Sequence, residues 1–453
     1  MSLNDIHTVY MVGIGGIGMS ALARYFQARG QAVHGYDRTE TPLTRALVAE
    51  GMSIHYQENV GAIPEQVDLV IYTPAIPSDH AELQYFRERG MRLYKRAEIL
   101  GLISHHQRTI AIAGTHGKTT TSSLTAHLLH TAGLAPTAFL GGVATNFGSN
   151  FLAGKSDWVV VEADEFDRSF LHLQPELMVI TSTDADHLDI YGDADSMLES
   201  GFRAFAKKLK SDGHKWVQKD QVDALAVPGG STYGLTAGDC RADRIRVAGG
   251  QFVFDYTDQA GTLPSLSLPL PGRHNVENAV AAIAIARYLG VEDQDIREGL
   301  ASFAGIQRRF ERIYQDDDLV FYDDYAHHPS ELRAAIGAAR ELHPGKRITG
   351  IFQPHLYSRT QDFASGFAEA LDQLDELILL EIYPAREKPI PGVSAAMIRS
   401  LMQNDRVQLA RREDLPGILA EYRPEVLLTL GAGDISERVQ PIRTFFNRRK
   451  AGV

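Results

Sequence analysis

The stretch Ala113-Gly114-Thr115-His116-Gly117-Lys118-Thr119-Thr120 joins an apolar run to a segment with helical periodicity. Gly117-Lys118-Thr119 is the core of a phosphate-binding loop. Backbone N–H groups cradle phosphate, the Lys118 ammonium reaches the terminal phosphates, and the Thr119 hydroxyl can ligate Mg²⁺. The full G-x-x-x-x-G-K-[ST] spacing is not met, because Ile112 stands five before Gly117 and the first glycine, Gly114, lies closer in. A second glycine loop, Gly13-Ile14-Gly15-Gly16-Ile17-Gly18, also follows a strand-like run and opens a helix, with Asp37 19 residues beyond Gly18. Such a loop lets a pyrophosphate approach a helix N-terminus, where unpaired N–H groups favour anions. It specifies pyrophosphate more securely than nicotinamide, so a dinucleotide and other phosphate-bearing ligands both remain open.

Carboxylates follow in the places a phosphate loop needs them. Asp157–Val161 leads into Glu162-Ala163-Asp164-Glu165, where Glu162 could hold a metal as a Walker-B acid does, although a solvated acidic turn would have the same composition. In Thr183-Asp184-Ala185-Asp186-His187-Leu188-Asp189, neutral His187 could ligate a metal or water, with Asp186 and Asp189 orienting it. Zinc is disfavoured for want of a second suitably spaced His or Cys.

These loops require strands and helices in alternation. Thr8–Val12, Ala32–Tyr36 and Leu69–Tyr72 read as strands, with helices at Met19–Arg29 and Leu43–Glu50, which implies βαβ units and a parallel sheet. A second set starts after Ser104–Arg108, with strands Thr109–Ala113, Trp158–Val161 and Leu177–Thr181 and a helix Thr119–Ala132. Gly229–Leu270 changes to short strands with Gly and Asp turns, an antiparallel insertion, before an Ala-rich helix over Val276–Leu289. A third set begins near Arg312, with strands Leu319–Tyr322, Ile348–Phe352, Glu376–Ile382 and Val426–Leu430. The expected fold is α/β in three parts: a Rossmann-like domain over 1–106, a P-loop ATPase-like α/β domain with the insertion over 107–311, and a second Rossmann-like domain over 312–453.

Composition bounds the function. The chain has 453 residues, 44% apolar and 23% charged, within the globular range and long enough for about three domains. A net charge of −12 leaves no basic excess for non-specific nucleic-acid binding. The single cysteine, Cys240, excludes an internal disulfide. Val9–Ala23 is interrupted by glycines and preceded by no Lys or Arg, unlike a signal peptide, and no apolar run approaches a membrane span. A soluble, cytoplasmic protein without membrane insertion is expected.

Taken together, the motifs resemble the Mur ligase superfamily over essentially the whole chain. The likeness is carried by Gly13–Ser20, Ala113–Thr120, Glu162–Glu165, Ser169–Pro175, Gly272-Arg273-His274-Asn275-Val276-Glu277-Asn278, Arg308-Arg309-Phe310, Asp323–Pro329 and Phe352–His355, in that order. The resemblance implies ATP-dependent amide formation in peptidoglycan synthesis. The lactoyl carboxylate of UDP-N-acetylmuramate would attack the γ-phosphate of ATP, and the amine of L-alanine would then displace phosphate from the acyl phosphate. It implies Lys118, Glu162, His187 and Arg309 as catalytic residues, and Thr119, Glu162 and His187 as the region of Mg²⁺ or Mn²⁺. ATP would be held by Gly114, Thr115, His116, Gly117, Lys118, Thr119, Thr120, Asn275, Asn278, Arg309 and Asp324. Asn275 and Asn278, three apart on one helical face, match the adenine-side contacts; helix capping would use the same residue type. The UDP-sugar would lie on Gly13, Gly15, Gly16, Ile17, Gly18 and Asp37, which explains the first glycine loop without nicotinamide. Tyr325, His327, His355 and Arg359 would form the amino-acid end. Leu356 departs from an arginine common in alanine-adding members, Ser182 from a frequent asparagine, and Phe166-Asp167-Arg168 from a commoner Ser-Asp-Gly. A sister ligase that attaches a preformed murein peptide is the alternative within the family, and a nicotinamide oxidoreductase or a nucleotide-binding protein without turnover are the alternatives outside it.

Overall fold

The structure is a computed structural model that describes residues 3–184, 188–385 and 387–451, with the side chains at 188, 189 and 451 outside that description. The chain divides into two compact units. One comprises 1–243, 255–264 and 277–303, the other 244–254, 265–276 and 304–453.

In the first unit, strands β1 (Thr8–Val12), β2 (Ala32–Tyr36), β3 (Ser53–His55), β4 (Leu69–Tyr72) and β5 (Leu93–Lys95) form a five-stranded sheet of order β3-β2-β1-β4-β5, parallel throughout. This is the expected Rossmann-like arrangement, and its switch point lies at β1, from whose carboxyl end the first glycine loop leaves. Successive β1 residues point to opposite faces. Val9 and Met11 join a large apolar core, while Tyr10 and Val12 pack with Tyr36, Leu83 and Phe86 on the other side.

The second sheet has ten strands in the order β15-β14-β13-β12-β11-β10-β6-β9-β7-β8. They are β6 (Arg108–Ala113), β7 (Thr137–Ala144), β8 (Ser149–Leu152), β9 (Trp158–Ala163), β10 (Leu177–Ile180), β11 (His214–Gln218), β12 (Ser231–Gly234), β13 (Cys240–Ala248), β14 (Gln251–Asp258) and β15 (Gly261–Leu268). The strand β6 lies between β9 and β10 and is parallel to both, with Ala113 opposite Ala163 and Ile180. The loops leaving these three strands therefore emerge side by side, although they are far apart in sequence. Two-residue turns join β13 to β14 and β14 to β15, which only antiparallel neighbours allow, so the expected insertion is present.

The second unit is built on a sheet of order β16-β17-β21-β18-β19-β20. It comprises β16 (Glu311–Gln315), β17 (Val320–Asp324), β18 (Ile348–Phe352), β19 (Glu376–Leu380), β20 (Val407–Ala410) and β21 (Val426–Leu430). Only the edge pair β16 and β17 is antiparallel. Apolar cores cover both faces, since Val320 and Tyr322 pack on one and Phe321 on the other. Asp324, Phe352 and Leu430 stand in register at the carboxyl ends of β17, β18 and β21.

Several elements differ from the sequence reading. The Ala-rich helix begins at Arg273, not Val276, so Asn275 lies in its first turn. Strands β3, β5, β7, β8, β11, β16 and β20 had no expectation behind them. Three residues of mixed burial in β3 and β5, and paired glycines in β7, do not form an apolar run. No helix among the described residues is long and apolar enough to cross a membrane.

Candidate active site

The phosphate-loop candidate leaves β6 and enters the helix Lys118–Thr131, the strand–loop–helix context that the motif requires. At Gly114, φ is 137°, and a Cβ would collide with the Thr181 hydroxyl and lie 2.7 Å from the Ser182 nitrogen, so only glycine fits. The loop is pinned to the turn after β10. The Thr115 N–H donates to the Ser182 carbonyl at 3.1 Å, the His116 N–H to the Ser182 hydroxyl at 2.8 Å, and the Thr115 hydroxyl to the Asp184 carbonyl at 2.7 Å. Ser182 thus positions the loop through its own hydroxyl. The helix then starts at Gly117, where no side chain caps its N-terminus. Thr119 and Thr120 are buried in the first turn, and the Thr121 hydroxyl donates to the Asn278 side-chain Oδ1 at 3.2 Å, fixing Asn278 against the loop.

Lys118 and Thr119 face the turn after β9. Lys118 Nζ donates to both Glu165 carboxylate oxygens at 2.7 and 2.9 Å, and to the Gly114 carbonyl at 2.5 Å. Glu165 is 1% exposed, and its carbonyl accepts from the Tyr191 hydroxyl at 2.7 Å. Burial works against the charge on Lys118, but Glu165, Asp164 and Glu162 outweigh it and hold the ammonium above its ordinary pKa. The Thr119 hydroxyl donates to Glu162 Oε1 at 3.1 Å, and the Gly141 N–H to Glu162 Oε2 at 2.9 Å. A hydroxyl and a carboxylate beside a phosphate loop are hard oxygen donors of the kind that Mg²⁺ takes, because this ion keeps several waters and shares phosphate oxygens. No cluster of three or more His, Cys, Asp or Glu side chains that could hold a metal ion forms among the described residues. His187 and Asp186 lie outside the described residues, as does the side chain of Asp189.

At the first glycine loop, the Gly13 and Ile14 N–H groups donate to the Tyr36 carbonyl at 2.8 and 3.1 Å. The Gly15 N–H donates to Asp37 Oδ2 at 2.7 Å and the Thr39 N–H to Asp37 Oδ1 at 3.3 Å. Asp37 therefore shapes the loop itself. The helix Ile17–Ala28 begins after Gly16 without a side-chain cap, and Ile17 is exposed. A cleft of about 270 Å³ runs from Gly16 and Gly18 to Glu162 and Asp164, and Glu162 is the residue of this cleft that Thr119 of the second glycine loop contacts. Arg96, in this cleft, was not anticipated; its only signal in the sequence was a Lys95-Arg96 pair after a short strand.

In the second unit, Arg308 and Phe310 hold the left-handed backbone (φ 60° and 50°) around Arg309. Arg308 Nε lies 3.1 Å from Asp323, and its Nη2 donates to the Gly431 carbonyl at 2.6 Å. Asp324 accepts from the Phe310 and Ala326 N–H groups, each at 2.7 Å. Burial pushes its carboxyl up to about 7, against the pull of Arg309 and these donors. Arg308 and Arg309 both stand over the Tyr325 ring, at 4.9 and 5.3 Å, and Arg309 Nη1 lies 3.8 Å from Glu331. The His327 N–H donates to Glu331 at 3.0 Å. Rings continue from Tyr325 to His327 (5.2 Å), His355 (6.2 Å) and Tyr383 (5.7 Å). Leu356 begins the helix Tyr357–Leu371 at φ 71°, and Arg359 is buried in that helix's first turn. The Asn275 amide donates to the Pro271 carbonyl at 2.6 Å, a local bond at its helix start. His274, held neutral by burial with its pKa near 4, faces Glu331 and Arg309. His274 and Glu331 were missed, since a lone His and a helix-face Glu carry no spacing signal.

Three family models match the chain: Mur ligase family, catalytic domain, over 8–108; Mur ligase middle domain over 112–286; and Mur ligase, glutamate ligase domain, over 308–433. The chain belongs to the Mur ligase family. UDP-N-acetylmuramate–L-alanine ligases of Phocaeicola vulgatus and Parabacteroides distasonis are 45% and 48% identical to it, with 99% and 98% of this chain and 100% and 98% of theirs covered. Among solved Mur ligase structures, the UDP-N-acetylmuramate–alanine ligase of Thermotoga maritima matches with a TM-score of 0.83 at 29% identity, over 98% of this chain and 100% of that one. A murein peptide ligase from Psychrobacter arcticus shares the fold at a TM-score of 0.70 and 24% identity, over 97% and 98% of the two chains. Membership of this family removes the nicotinamide alternative.

Proposed function

We propose that this chain is an ATP-dependent ligase that joins L-alanine to the lactoyl carboxylate of UDP-N-acetylmuramate, a step in making peptidoglycan precursors. The observation that carries the reading is full-length identity of 45–48% to ligases of that name. The geometry supports it. A carboxylate is a poor electrophile, so its oxygen first attacks the γ-phosphorus of ATP and ADP leaves. The resulting acyl phosphate accepts the alanine nitrogen, phosphate departs, and the amine loses a proton. Lys118 neutralises charge on the transferring phosphoryl group once ATP draws it from Glu165, and Arg309 adds a second cation. Thr119 and Glu162, with His187, would hold Mg²⁺, which lowers the charge on the phosphates when bound. Gly114–Thr120, Asn275, Asn278 and Asp324 would hold ATP. Gly13–Gly18 and Asp37 would hold the UDP-sugar, and Tyr325, His327, His355 and Arg359 the amino acid. These roles fall to 107–311, 1–106 and 312–453, with Asp324 and Arg309 serving the nucleotide from near or beyond the central boundary. A cytoplasmic location for the reaction is part of the proposal.

The test is mass spectrometry of the product after incubation with Mg-ATP, UDP-N-acetylmuramate and, separately, L-alanine, L-serine, glycine or the murein tripeptide. An L-alanyl adduct formed far faster than the others supports the reading. An adduct with the tripeptide alone moves the chain to the peptide-attaching branch.

A further inference from the structure

The proposed reaction needs more than two occupied loops. A carboxylate oxygen attacks phosphorus only when it stands in line, and a misplacement of about 1 Å costs on the order of 10²-fold. The cleft is lined by the start of the helix Ile17–Ala28 and by Phe139, Leu140 and Gly141 of β7 with Glu162. Its width therefore depends on how that helix sits on the antiparallel hairpin of β7 and β8. Tyr25 of the helix packs on Phe139 and Phe151 of the hairpin, with ring centroids 5.5 and 6.3 Å away. Apolar contact of this kind is non-directional, so by itself it lets the helix slide or turn.

A buried polar clamp removes that freedom. Arg24 on the helix and Asn150 on β8 are 8% and 0% exposed. Arg24 donates to Glu50 through Nε at 2.8 Å and Nη2 at 2.7 Å, and its Nη1 donates to Asn150 Oδ1. A guanidinium can only donate, so the amide oxygen of Asn150 must face Arg24 and the amide nitrogen must point the other way. That nitrogen donates to the Ile17 carbonyl at 2.5 Å and to the Ser20 hydroxyl at 3.0 Å, while Ser20 donates to the same carbonyl at 2.9 Å. These bonds land on the first turn of the helix, beside Gly16 and Gly18. The same hairpin holds Glu162, whose Oε2 accepts from the Gly141 N–H at 2.9 Å. One hairpin thus grips both the helix of the first glycine loop and the carboxylate beside the second.

We propose that Asn150, locked in orientation by Arg24, is a positioning residue that sets the spacing between the sugar nucleotide on the first glycine loop and the phosphoryl group beside Glu162. The inference rests on the proposed function. Asn150 is fully buried and does not line the cleft, so it acts through Ile17 and Ser20. Its loss shifts one loop against the other while each keeps its own shape, which leaves binding in place and spoils the line of attack.

The variant Asn150→Asp separates positioning from tethering. An aspartate keeps the size of the side chain and its contact with Arg24, but sets an oxygen against the Ile17 carbonyl. Its kcat is expected to fall about tenfold or more, while calorimetric affinities for UDP-N-acetylmuramate and for Mg-ATP, each measured alone, stay within about threefold of wild type. A kcat within about twofold of wild type overturns the inference. So does a loss confined to UDP-N-acetylmuramate affinity, or a loss of kcat that disappears well below the melting transition, which marks a merely structural tether. Should Asn150→Asp not fold, Arg24→Lys, which keeps a charge beside Glu50 but lacks the second arm for Asn150, is read in the same way. A wild type without turnover overturns the proposed function, and this inference with it.

Discussion

Lys118 carries its charge into a site with three carboxylates, and Glu165 holds it on two oxygens. In the proposed role, nucleotide phosphate would have to displace that contact before the lysine could act. Lys118→Ala is expected to cut phosphate release about 10²–10³-fold or more, while UDP-N-acetylmuramate affinity, measured by calorimetry, stays unchanged; retained turnover would contradict the phosphate-loop role. Glu162→Gln should raise the Mg²⁺ concentration for half-maximal activity by roughly 10–100-fold. An unmoved Mg²⁺ titration would remove Glu162 from the metal. Asp324 offers a pH test. Its folded pKa is raised to about 7, so between the unfolded value near 4 and 7 the unfolded chain ionises first. Stability from this group is complete at low pH and is lost as pH rises through that window. Asp324→Asn should therefore melt progressively higher relative to wild type from pH 5 to pH 8. Parallel melting curves across that range would show that its burial does not cost what the structure implies. At this scale the sequence was legible where spacing carries chemistry, as in Lys118, Thr119 and Glu162. It was silent on Glu165 as the resting partner of Lys118, because an acidic turn does not say which carboxylate faces inward.

Elements turn separate motifs into a site through strand adjacency. Since β6 lies between β9 and β10, the loops at 114–117, 162–165 and 181–184 converge without any contact between them in sequence. Gly114 sits where these loops are tightest. Gly114→Ala should destabilise the chain by about 1 kcal/mol or more through its positive φ and the clash with Thr181, and should abolish the rise in melting temperature that Mg-ATP gives. An unchanged thermal shift would show that the loop tolerates a side chain. Alternation of strand and helix was readable from apolar runs and helical periodicity, including the parallel sheets. The order of strands within the second sheet was not, because order depends on long-range pairing. Short edges such as β3 and β5 escaped because their stability comes from a neighbour and not from their own composition.

Across the whole molecule, a chain of net charge −12 would handle the anionic substrates of the proposed reaction by concentrating a few cations and backbone N–H groups at strand ends. The first glycine loop and the turn after β9 line one cleft in the first unit, and the arginine and histidine cluster stands at the carboxyl ends of β17, β18 and β21 in the second. The central claim is that these parts couple ATP cleavage to amide formation. The most direct test is phosphate release from Mg-ATP, followed continuously while UDP-N-acetylmuramate and L-alanine are supplied singly and together. The account predicts sustained release only with both, one phosphate for each amide formed. Sustained release that ignores L-alanine, or none with all substrates present, would contradict it.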